Sequence, residues 1–457
     1  MQKLMSYTTL TVLAVDLLAT VGDITMTWTS PMLSKLYSND SSVNPLPAPI
    51  TKEEDAYIAA LINIGAMVGG IPFSILSDKF GRKLGLLTIG IFHVLAYLTL
   101  AFARNVYLFY FGRIFGGLAT GAGYTLLPIY IAEVSEESNR GFYSMTLTIF
   151  WAVGNFLPLL VGPFLTVRTF NLFNAALGLA FFALFLVFGV ESPYYLVAAG
   201  KTDEAGEALM RLRSADDVGV KGELNQIRST LDSEKEHPMG ASSIFTNRGL
   251  RKAFAVSVVL ISFQQLSGWN VTTFYLQPIF EAARTVVPAH WAGLIVGGAI
   301  LAFSLPAPLF ADRFGRKTLL VASVGLMAVC LCSLSLYFFL DTRTAVSVAP
   351  IAWLPLASLV FLAFAYDLGM ACLPWTISSE LFPSNVKKFS ASTTSAFCWI
   401  ATYLTTQFFN VMVDSFGMDG TYLIFTGFCL LCIVFTVCWV PETKGKTFKE
   451  IQDLLNK

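Results

Sequence analysis

Charged residues are scarce in this chain of 457 residues: Asp, Glu, Lys and Arg make up 13% of it, against roughly 25% in soluble globular proteins. The mean hydropathy is +0.64 and 55% of the residues are hydrophobic, which excludes a soluble fold and a disordered chain. Thirty basic residues balance thirty acidic ones. The chain therefore lacks the basic excess of a nucleic-acid-binding protein, and no nucleic-acid partner is expected.

Cysteine and histidine are few and poorly placed for chemistry. The three histidines are far apart, so neither a metal site nor another cofactor is predicted. The spacing of Cys429 and Cys432 matches a redox or metal motif, but both lie in an uncharged apolar run and are interpreted as packing residues. All cysteines lie in apolar stretches of the last third, which argues against an extracellular disulfide framework: Cys330, Cys332, Cys372, Cys398, Cys429, Cys432 and Cys438.

Long apolar runs dominate the sequence, and twelve of them reach the length of about 20 residues that crosses a bilayer. They are 8–30, 56–76, 84–103, 106–132, 142–165, 168–189, 252–280, 290–310, 318–340, 347–375, 387–413 and 420–440. The polar segment 190–251 separates the first six from the last six and predicts short surface helices. The first run has only Lys3 before it and no small-residue cleavage site, so we interpret it as a retained helix.

The distribution of Lys and Arg predicts the orientation of these spans. If both termini are cytoplasmic, the cytoplasmic segments carry 23 of these residues and the external segments carry 6. This places Asn39-Asp40-Ser41, an N-glycosylation sequon, in the longest external loop, and Asn39 is a candidate glycosylation site. The sequon at Asn270 lies inside a span and is not expected to be modified.

Three landmarks recur in the same order in the two halves of the chain. Asp78 to Lys83 follows the second span, and Asp312 to Lys317 follows the eighth in nearly the same letters. Glu133 ends the fourth span and Glu380 ends the tenth, and Glu191 and Glu442 follow the sixth and the twelfth. One such match could arise by chance, but three in register favour a duplicated six-span unit, the arrangement of a transporter whose site lies between two halves.

Further strings accompany these landmarks: Gly112-Arg113, Pro128-Ile129-Tyr130-Ile131-Ala132-Glu133, Arg140-Gly141, Glu191-Ser192-Pro193, Gln264-Gln265-Leu266-Ser267-Gly268, Pro374-Trp375 and Pro441-Glu442-Thr443-Lys444-Gly445. With them the chain resembles the sugar porter family of the major facilitator superfamily, and Thr25 to Pro31 is similar to the first span of insect trehalose and glucose facilitators. The resemblance implies an all-α membrane protein with twelve transmembrane helices in two pseudo-symmetric six-helix bundles. The implied parts are bundles at 1–189 and 252–440, a cytoplasmic linker at 190–251 and a tail at 441–457.

Polar side chains within the spans are candidates for sugar binding. Gln264, Gln265 and Asn270 lie in the seventh span, where amides would match sugar hydroxyls or, alternatively, hydrogen-bond between helices. Gln265 and Asn270 point about 140° apart on a straight helix, so both can face one sugar only if the helix bends at Gly268.

The resemblance adds three more candidates to the sugar site. It places Trp375, which follows the helix-kinking Pro374, and Trp399 against the sugar, although Trp375 could instead be a tryptophan of the lipid interface. Thr148 stands where human-type glucose carriers have a glutamine, and Cys398 stands where they have an asparagine. The cavity therefore has fewer amides than those carriers, which leaves a hexose, trehalose or a polyol open as the substrate.

A second group of polar residues is expected to control opening. Arg113 is the one basic residue inside a span, and such charges are usually functional. Ion-pair clusters at the cytoplasmic ends of the spans would latch the halves together while the outside is open, unless they only set topology. Their expected members are Asp78, Arg82, Glu133 and Arg140 in the first half, and Asp312, Arg316 and Glu380, with Lys387 or Lys388, in the second.

The resemblance implies facilitated transport of a neutral sugar through the cell membrane by a protein that acts as a monomer. Proton-coupled relatives carry an Asp at the position that Ile24 occupies here, and the lack of that carboxylate favours uniport. The adjacent Asp23 leaves a proton symporter open. A non-transporting sugar sensor is a further alternative, but such sensors carry long tails and here seventeen residues (441–457) follow the last span. Because the spans contain no nucleophile with a base and no paired carboxylates, an enzyme is not expected.

Overall fold

The computed structural model describes residues 6–136, 138–214, 217–236, 243–306, 315–444, 446, 450–451 and 454–455. Within these residues every regular element is a helix. The α-helices are α1 (Tyr7–Thr27), α2 (Thr29–Leu36), α3 (Lys52–Phe80), α4 (Arg82–Ala101), α5 (Val106–Val134), α6 (Arg140–Val161), α7 (Val167–Phe188), α8 (Pro193–Ala198), α9 (Thr202–Arg213), α10 (Asp217–Glu236), α11 (Ser243–Thr246), α12 (Arg248–Leu266), α13 (Trp269–Phe274), α14 (Leu276–Ala283), α15 (Ala289–Ser304), α16 (Arg316–Arg343), α17 (Leu354–Ala365), α18 (Leu373–Glu380), α19 (Ser384–Gln407) and α20 (Phe409–Trp439).

Within the described residues, each of the twelve predicted spans corresponds to one helix or to consecutive helices. Ten of these segments are long and apolar enough to cross a membrane, and the other two are α15, with 16 residues, and α19, with 24. The bounds differ where capping residues extend a helix. In α3, the side chain of Thr51 accepts from the Glu54 N–H and the Glu54 carboxylate accepts from the Thr51 N–H, so the helix begins at Lys52 rather than at residue 56.

Helices α3 and α5 pack closely because glycines line their contact. A Cβ on Gly69 would collide with the backbone carbonyl of Leu118, and a Cβ on Gly117 would collide with that of Ile62. Small residues allow helix backbones to approach in a membrane, where van der Waals packing drives helix association. The absence of side chains at these two positions therefore lets α3 and α5 lie in close contact.

The repeated sequence landmarks form the same structure in both halves. The carboxylate of Glu191 accepts the backbone N–H groups of Arg82 and Lys83, at 2.7 and 3.2 Å. The carboxylate of Glu442 accepts the corresponding pair from the first two residues of α16, at 2.9 and 3.0 Å. In each half an acidic side chain that follows the sixth span thus caps the helix of the third, as a duplicated unit requires.

The polar segment between the halves forms the short helices α8 to α11 and lies at the same end of the bundle as the N-terminus of α1. The Thr8 hydroxyl donates to the Leu212 carbonyl at 2.8 Å, and the Tyr195 hydroxyl donates to the Lys79 carbonyl at 3.2 Å. We call this end the terminal side and the opposite end the distal side. The domain limits at 189 and 252 remain predictions.

Candidate functional site

The chain bends where the candidate sugar-binding amides lie. Gly268 separates α12 from α13 with φ +78°, a left-handed conformation that suits glycine, and a Cβ there would overlap the ring of Phe425. The bend brings the two amides together, because Asn270 Nδ2 donates to Gln265 Oε1 at 2.6 Å. The bend at Gly268 thus brings Gln265 and Asn270 together, and their contact with a sugar remains a prediction.

Gln264 has a different set of partners from its neighbour. Its Nε2 donates to the carbonyl oxygens of Met370, at 2.6 Å, and Ala371, at 3.1 Å, while its Oε1 accepts from Gln265 Nε2 at 3.1 Å. The two carbonyls lie where the tenth span is broken into α17, a π-helical turn at Tyr366–Met370, and α18. Both amide hydrogens of Gln264 are thus bonded to a neighbouring helix. Of the two alternatives for this residue, sugar binding and an interhelical hydrogen bond, the geometry favours the second.

Trp399 and Cys398 extend the amide cluster across α19. Gln265 Nε2 donates to Cys398 Sγ at 3.2 Å, and the Trp399 ring meets Tyr124 of the first half edge-on, with 5.8 Å between ring centroids. Tyr124 also stacks on Trp151, with centroids 5.0 Å apart. Aromatic rings from both halves therefore meet next to Cys398, the residue that Gln265 contacts, and such rings can pack against the C–H face of a sugar.

A polar cluster that we did not predict forms the N-terminal side of this site. The Tyr124 hydroxyl donates to Asp23 Oδ1 at 2.7 Å, and Asn155 Nδ2 donates to Asp23 Oδ2 at 2.6 Å. Asp23 is buried, whereas the Tyr124 ring is 37% exposed. Asn155 and Tyr124 are polar residues within long apolar runs, and this property, applied to the fifth and fourth spans, could have identified them from the sequence.

Two predicted sugar-binding residues make no recorded contact with this cluster among the described residues. The hydroxyl of Thr148 donates to the Ser144 carbonyl of its own helix at 3.1 Å, so its hydrogen is used locally. Trp375 lies in α18, directly after Pro374, and its side chain is 38% exposed. A contact of either residue with the sugar remains a prediction.

The predicted ion-pair cluster of the first half forms only in part. Arg82 pairs with Glu133 at 3.1 Å and with Asp78 one turn away. Arg140 was expected to join them, but the contacts of the described residues include no ion pair for it, and its Nε is buried without a partner. Arg213, from α9, instead lies 3.8 Å from Glu136 beside this cluster. Segment 190–251 thus supplies a cation to this region, which the charges of the short loops did not predict.

The second half repeats the central pair, with Arg316 3.3 Å from Glu380. Asp312 lies outside the described residues. Lys387 and Lys388 lie in α19, but their side chains are also outside what the structure describes. The pairs Arg82–Glu133 and Arg316–Glu380 each join residues of the same half. A latch between the halves therefore remains a prediction.

Arg113 is buried, but it does not pair with a carboxylate among the described residues. Its guanidinium donates to the carbonyl oxygens of Ile58, at 2.8 Å, and Thr25, and lies over the ring of Trp28 at 5.4 Å from the centroid. Arg113 thus joins α1, α3 and α5 through backbone carbonyls. Its expected part in opening remains a prediction.

The two capping glutamates at the terminal side differ in acidity. Burial raises the pKa of Glu191 above the ordinary glutamate value, against the lowering effect of the backbone N–H groups that it accepts. Burial also acts to raise the pKa of Glu442, but that side chain is more exposed, and its backbone N–H donors hold the pKa below the ordinary value. The same motif therefore holds carboxylates of different acidity in the two halves.

On the distal side, polar contacts join the two halves. Lys52 at the start of α3 pairs with Asp414 of α20 at 2.5 Å. Asp55 Oδ2 accepts from Asn410 Nδ2, at 3.1 Å, and from the Tyr37 hydroxyl, at 2.8 Å. We call Lys52, Asp55, Asn410 and Asp414, with Tyr37, the distal cluster. Asn39 lies on the same side in an exposed bend, and its glycosylation remains a prediction.

Residues 15–455 match the family described as "Sugar (and other) transporter". The chain is 31% identical to the facilitated trehalose transporter Tret1 of Bombyx mori, over 88% of this chain and 79% of that protein. It is 30% identical to Tret1 of Culex quinquefasciatus, over 97% of this chain and 84% of that one. Among solved structures it is similar to a partially occluded inward-open conformation of the xylose transporter XylE from E. coli, with a TM-score of 0.77, 22% identity, and coverage of 96% of this chain and 99% of the other.

Proposed function

Since the chain belongs to the sugar transporter family, we propose that it carries a neutral sugar, trehalose or a hexose, by facilitated transport. The chain is a multi-pass membrane protein with the major facilitator fold, and its relatives are transporters rather than enzymes. The two Tret1 relatives are facilitated trehalose transporters, which supports trehalose as the first sugar to test. The proposal rests on the family together with the arrangement of the candidate site.

The observation that carries the proposal is the meeting of Tyr124 and Trp399 between the halves. In the second half, Gln265 bonds to Asn270 and to Cys398, which precedes Trp399 in α19. In the first half, Asn155 and Tyr124 both bond to Asp23. Amides offer both donors and acceptors to hydroxyl groups, and the flat rings suit the C–H faces of a pyranose. The sugar-binding residues that we propose are Tyr124, Asn155, Gln265, Asn270 and Trp399, with Trp375 and Thr148 as further candidates.

Transport then requires that the two sides open in turn. The distal cluster and the packing of Phe164 against Trp291, whose centroids are 6.0 Å apart, hold the halves together on the distal side. We infer that this arrangement is closed to the distal side, and that separation of these contacts opens it. The ion-pair clusters of Arg82 and Arg316 on the terminal side would close the other end in the alternate conformation.

We further propose that the terminal side faces the cytoplasm and that the protein acts in the cell membrane as a monomer. The excess of Lys and Arg in the segments on the terminal side supports this orientation. Under it, Asn39 is outside and open to glycosylation.

Proton-coupled transport is the second candidate, and Asp23 is the observation that favours it. A buried carboxylate beside the substrate is what a symporter would need to carry a proton. Against it, both oxygens of Asp23 already accept from neutral donors, and Arg113 contacts backbone carbonyls rather than Asp23. A polyol carrier and a non-transporting sensor stay as alternative outcomes of the same test.

The test is uptake of labelled trehalose and labelled glucose by oocytes that express the chain, at pH 5.5 and 7.5. We expect saturable uptake that is indifferent to pH and lost in Gln265→Ala. Gln226→Ala, an exposed residue of α10, is the matched control and should keep the uptake. Uptake that rises at pH 5.5 and collapses with a protonophore would favour symport. Surface expression without uptake of either sugar would contradict sugar transport and point to a polyol carrier or a sensor.

A further inference from the structure

Tyr124 and Asn155 form what we call the N-terminal wall of the site. Both contact the carboxylate of Asp23, which determines whether they can donate hydrogen bonds. An ionised carboxylate accepts hydrogen bonds and cannot donate one. Asp23 is 1% exposed, and its two oxygens lie 2.7 Å from the Tyr124 hydroxyl and 2.6 Å from Asn155 Nδ2. When Asp23 is ionised, both neighbours therefore act as donors towards it.

These contacts use every hydrogen that the two neighbours have. A tyrosine hydroxyl has a single hydrogen, and that of Tyr124 points to Asp23. The amide of Asn155 has two, of which one goes to Asp23 and the other to the Trp151 carbonyl at 3.2 Å. The remaining capacity is the lone pairs of the Tyr124 hydroxyl and of Asn155 Oδ1, which can only accept.

The opposite wall of the site, formed by Gln265 and Asn270, has a different balance of hydrogen-bond donors and acceptors. Both amide hydrogens of Gln265 are used, towards Gln264 Oε1 and Cys398 Sγ. Asn270 gives one amide hydrogen to Gln265 and keeps a second hydrogen and its own carbonyl oxygen. A substrate hydroxyl can therefore receive a hydrogen bond from Asn270, whereas Tyr124 and Asn155 have no hydrogen left to donate.

We propose that Asp23, in its ionised form, is a specificity-determining positioning residue that leaves Tyr124 and Asn155 able only to accept hydrogen bonds, so that these two residues recognise a substrate hydroxyl as a donor. The proposal rests on the proposed sugar transport and deepens it. It predicts that a carbon–fluorine group cannot replace the hydroxyl that faces the N-terminal wall, because fluorine has no hydrogen to donate. At that position the fluorinated sugar should bind as weakly as the deoxy sugar.

The experiment measures binding to the purified full chain at pH 7.5 by tryptophan fluorescence, since Trp151 and Trp399 both adjoin Tyr124. The probes are the parent sugar, D-glucose or trehalose, and its monodeoxy and monodeoxyfluoro derivatives. For the wild-type chain we expect one position at which both derivatives weaken binding by about tenfold, as loss of one hydrogen bond would.

Asp23→Asn provides the decisive variant. Its amide can donate to the Tyr124 oxygen, which frees the phenol hydrogen to point at the substrate. The fluoro derivative should then recover several-fold relative to the deoxy derivative, and the recovery should disappear in Asp23→Asn combined with Tyr124→Phe. Asp16→Asn, a buried aspartate two turns earlier on α1, is the control and should keep the wild-type ratio.

Three results separate the possibilities. Fluoro derivatives that bind the wild-type chain as well as the parent sugar at every position would overturn the proposal, and so would an unchanged ratio in Asp23→Asn. Because binding rather than transport is read, a variant that no longer transports still gives an answer. Absence of binding by both parent sugars would instead contradict the proposed function itself, and with it the inference.

Discussion

The side-chain amide of Gln264 lies 2.6 Å from the carbonyl oxygen of Met370, four residues before Pro374. In a helix that carbonyl would accept the N–H of residue 374, which proline does not have. Gln264 supplies the missing donor from α12. The Ser323 hydroxyl of α16 holds the same break on its other side, because it accepts from the Met370 N–H at 2.9 Å and donates to the Ala365 carbonyl at 2.6 Å. The bend in the tenth span is thus held by two neighbouring helices.

Removal of this amide should destabilise the protein in a way that depends on the proline. We expect Gln264→Ala to lower the free energy of unfolding by about 1–3 kcal/mol, since the Met370 carbonyl is left buried without a donor. In a Pro374→Ala background residue 374 regains its N–H, and the same substitution should cost clearly less. A double-mutant cycle of unfolding in detergent measures this coupling. Additive effects of the two substitutions would mean that Gln264 does not replace the proline's missing donor.

The sequence sufficed for the fold and for part of the site. Hydropathy located the twelve spans, and the wide angle between Gln265 and Asn270 on a straight helix pointed to a bend at Gly268. The sequence did not show which residues from elsewhere in the chain would contact these side chains. Gln264 was grouped with Gln265 because they are adjacent, but its partners belong to the tenth span and depend on how the helices pack.

The same limit applies to charged residues. The charge of Arg113 inside a span indicated a functional residue but not its partners, which in the fold are carbonyls of α1 and α3. Arg140 has the loop position of the family's cluster, but a loop position does not fix where a long side chain goes. Asp23 appeared only as an alternative proton carrier, because its partners Tyr124 and Asn155 lie more than a hundred residues away in sequence.

Two glycines should respond differently to replacement by alanine, because Gly69 lies at the close contact of α3 and α5 whereas Gly427 of α20 has open space beside it. Gly69→Ala places a methyl group against the Leu118 carbonyl, and we expect a loss of stability of about 1–3 kcal/mol because backbone cannot move aside cheaply. Gly427→Ala meets nothing within 4 Å and should be neutral or slightly stabilising, as alanine favours a helix over glycine. Thermal unfolding in detergent compares the two. Equal effects would contradict the close contact of the two helices.

The two capping glutamates should respond to pH with opposite signs. The pKa of Glu442 is lowered in the folded state, so it contributes stability above the ordinary glutamate pKa of about 4.3, and that contribution is lost as the pH falls through the lowered value. The pKa of Glu191 is raised, so its contribution is complete below about 4.3 and is lost as the pH rises through the raised value.

Unfolding of Glu442→Gln and Glu191→Gln beside the wild-type chain, from pH 3.5 to 7, measures these contributions. The stability advantage of the wild type over Glu442→Gln should grow with pH, and its advantage over Glu191→Gln should shrink. Slopes of the same sign would show that the two sites are equivalent.

The buried part of the distal cluster should govern closure more than its exposed ion pair. Asn410→Ala removes a donor to the buried Asp55, and we expect the open distal conformation to gain about five- to tenfold in population, as for loss of a buried hydrogen bond. Lys52→Ala breaks a solvent-exposed pair and should change it by less than about fivefold, since such pairs contribute about 0–1 kcal/mol.

The labelling rate of Leu159→Cys by a membrane-impermeant maleimide reports opening, because Leu159 packs against Gly297 of the other half. The parent chain without this substitution corrects for native cysteines. Equal labelling rates in the two variants would show that Asp55 does not hold this side closed.

Sugar counterflow in liposomes that contain the purified chain tests the central claim most directly. Liposomes are loaded with unlabelled trehalose or glucose, and entry of the labelled sugar is followed with and without an imposed proton gradient. We predict transient accumulation of label that needs the loaded sugar, is unaffected by the proton gradient and is lost in Gln265→Ala. Net accumulation driven by the proton gradient alone would contradict facilitated transport, and absence of counterflow with both sugars would contradict sugar transport by this protein.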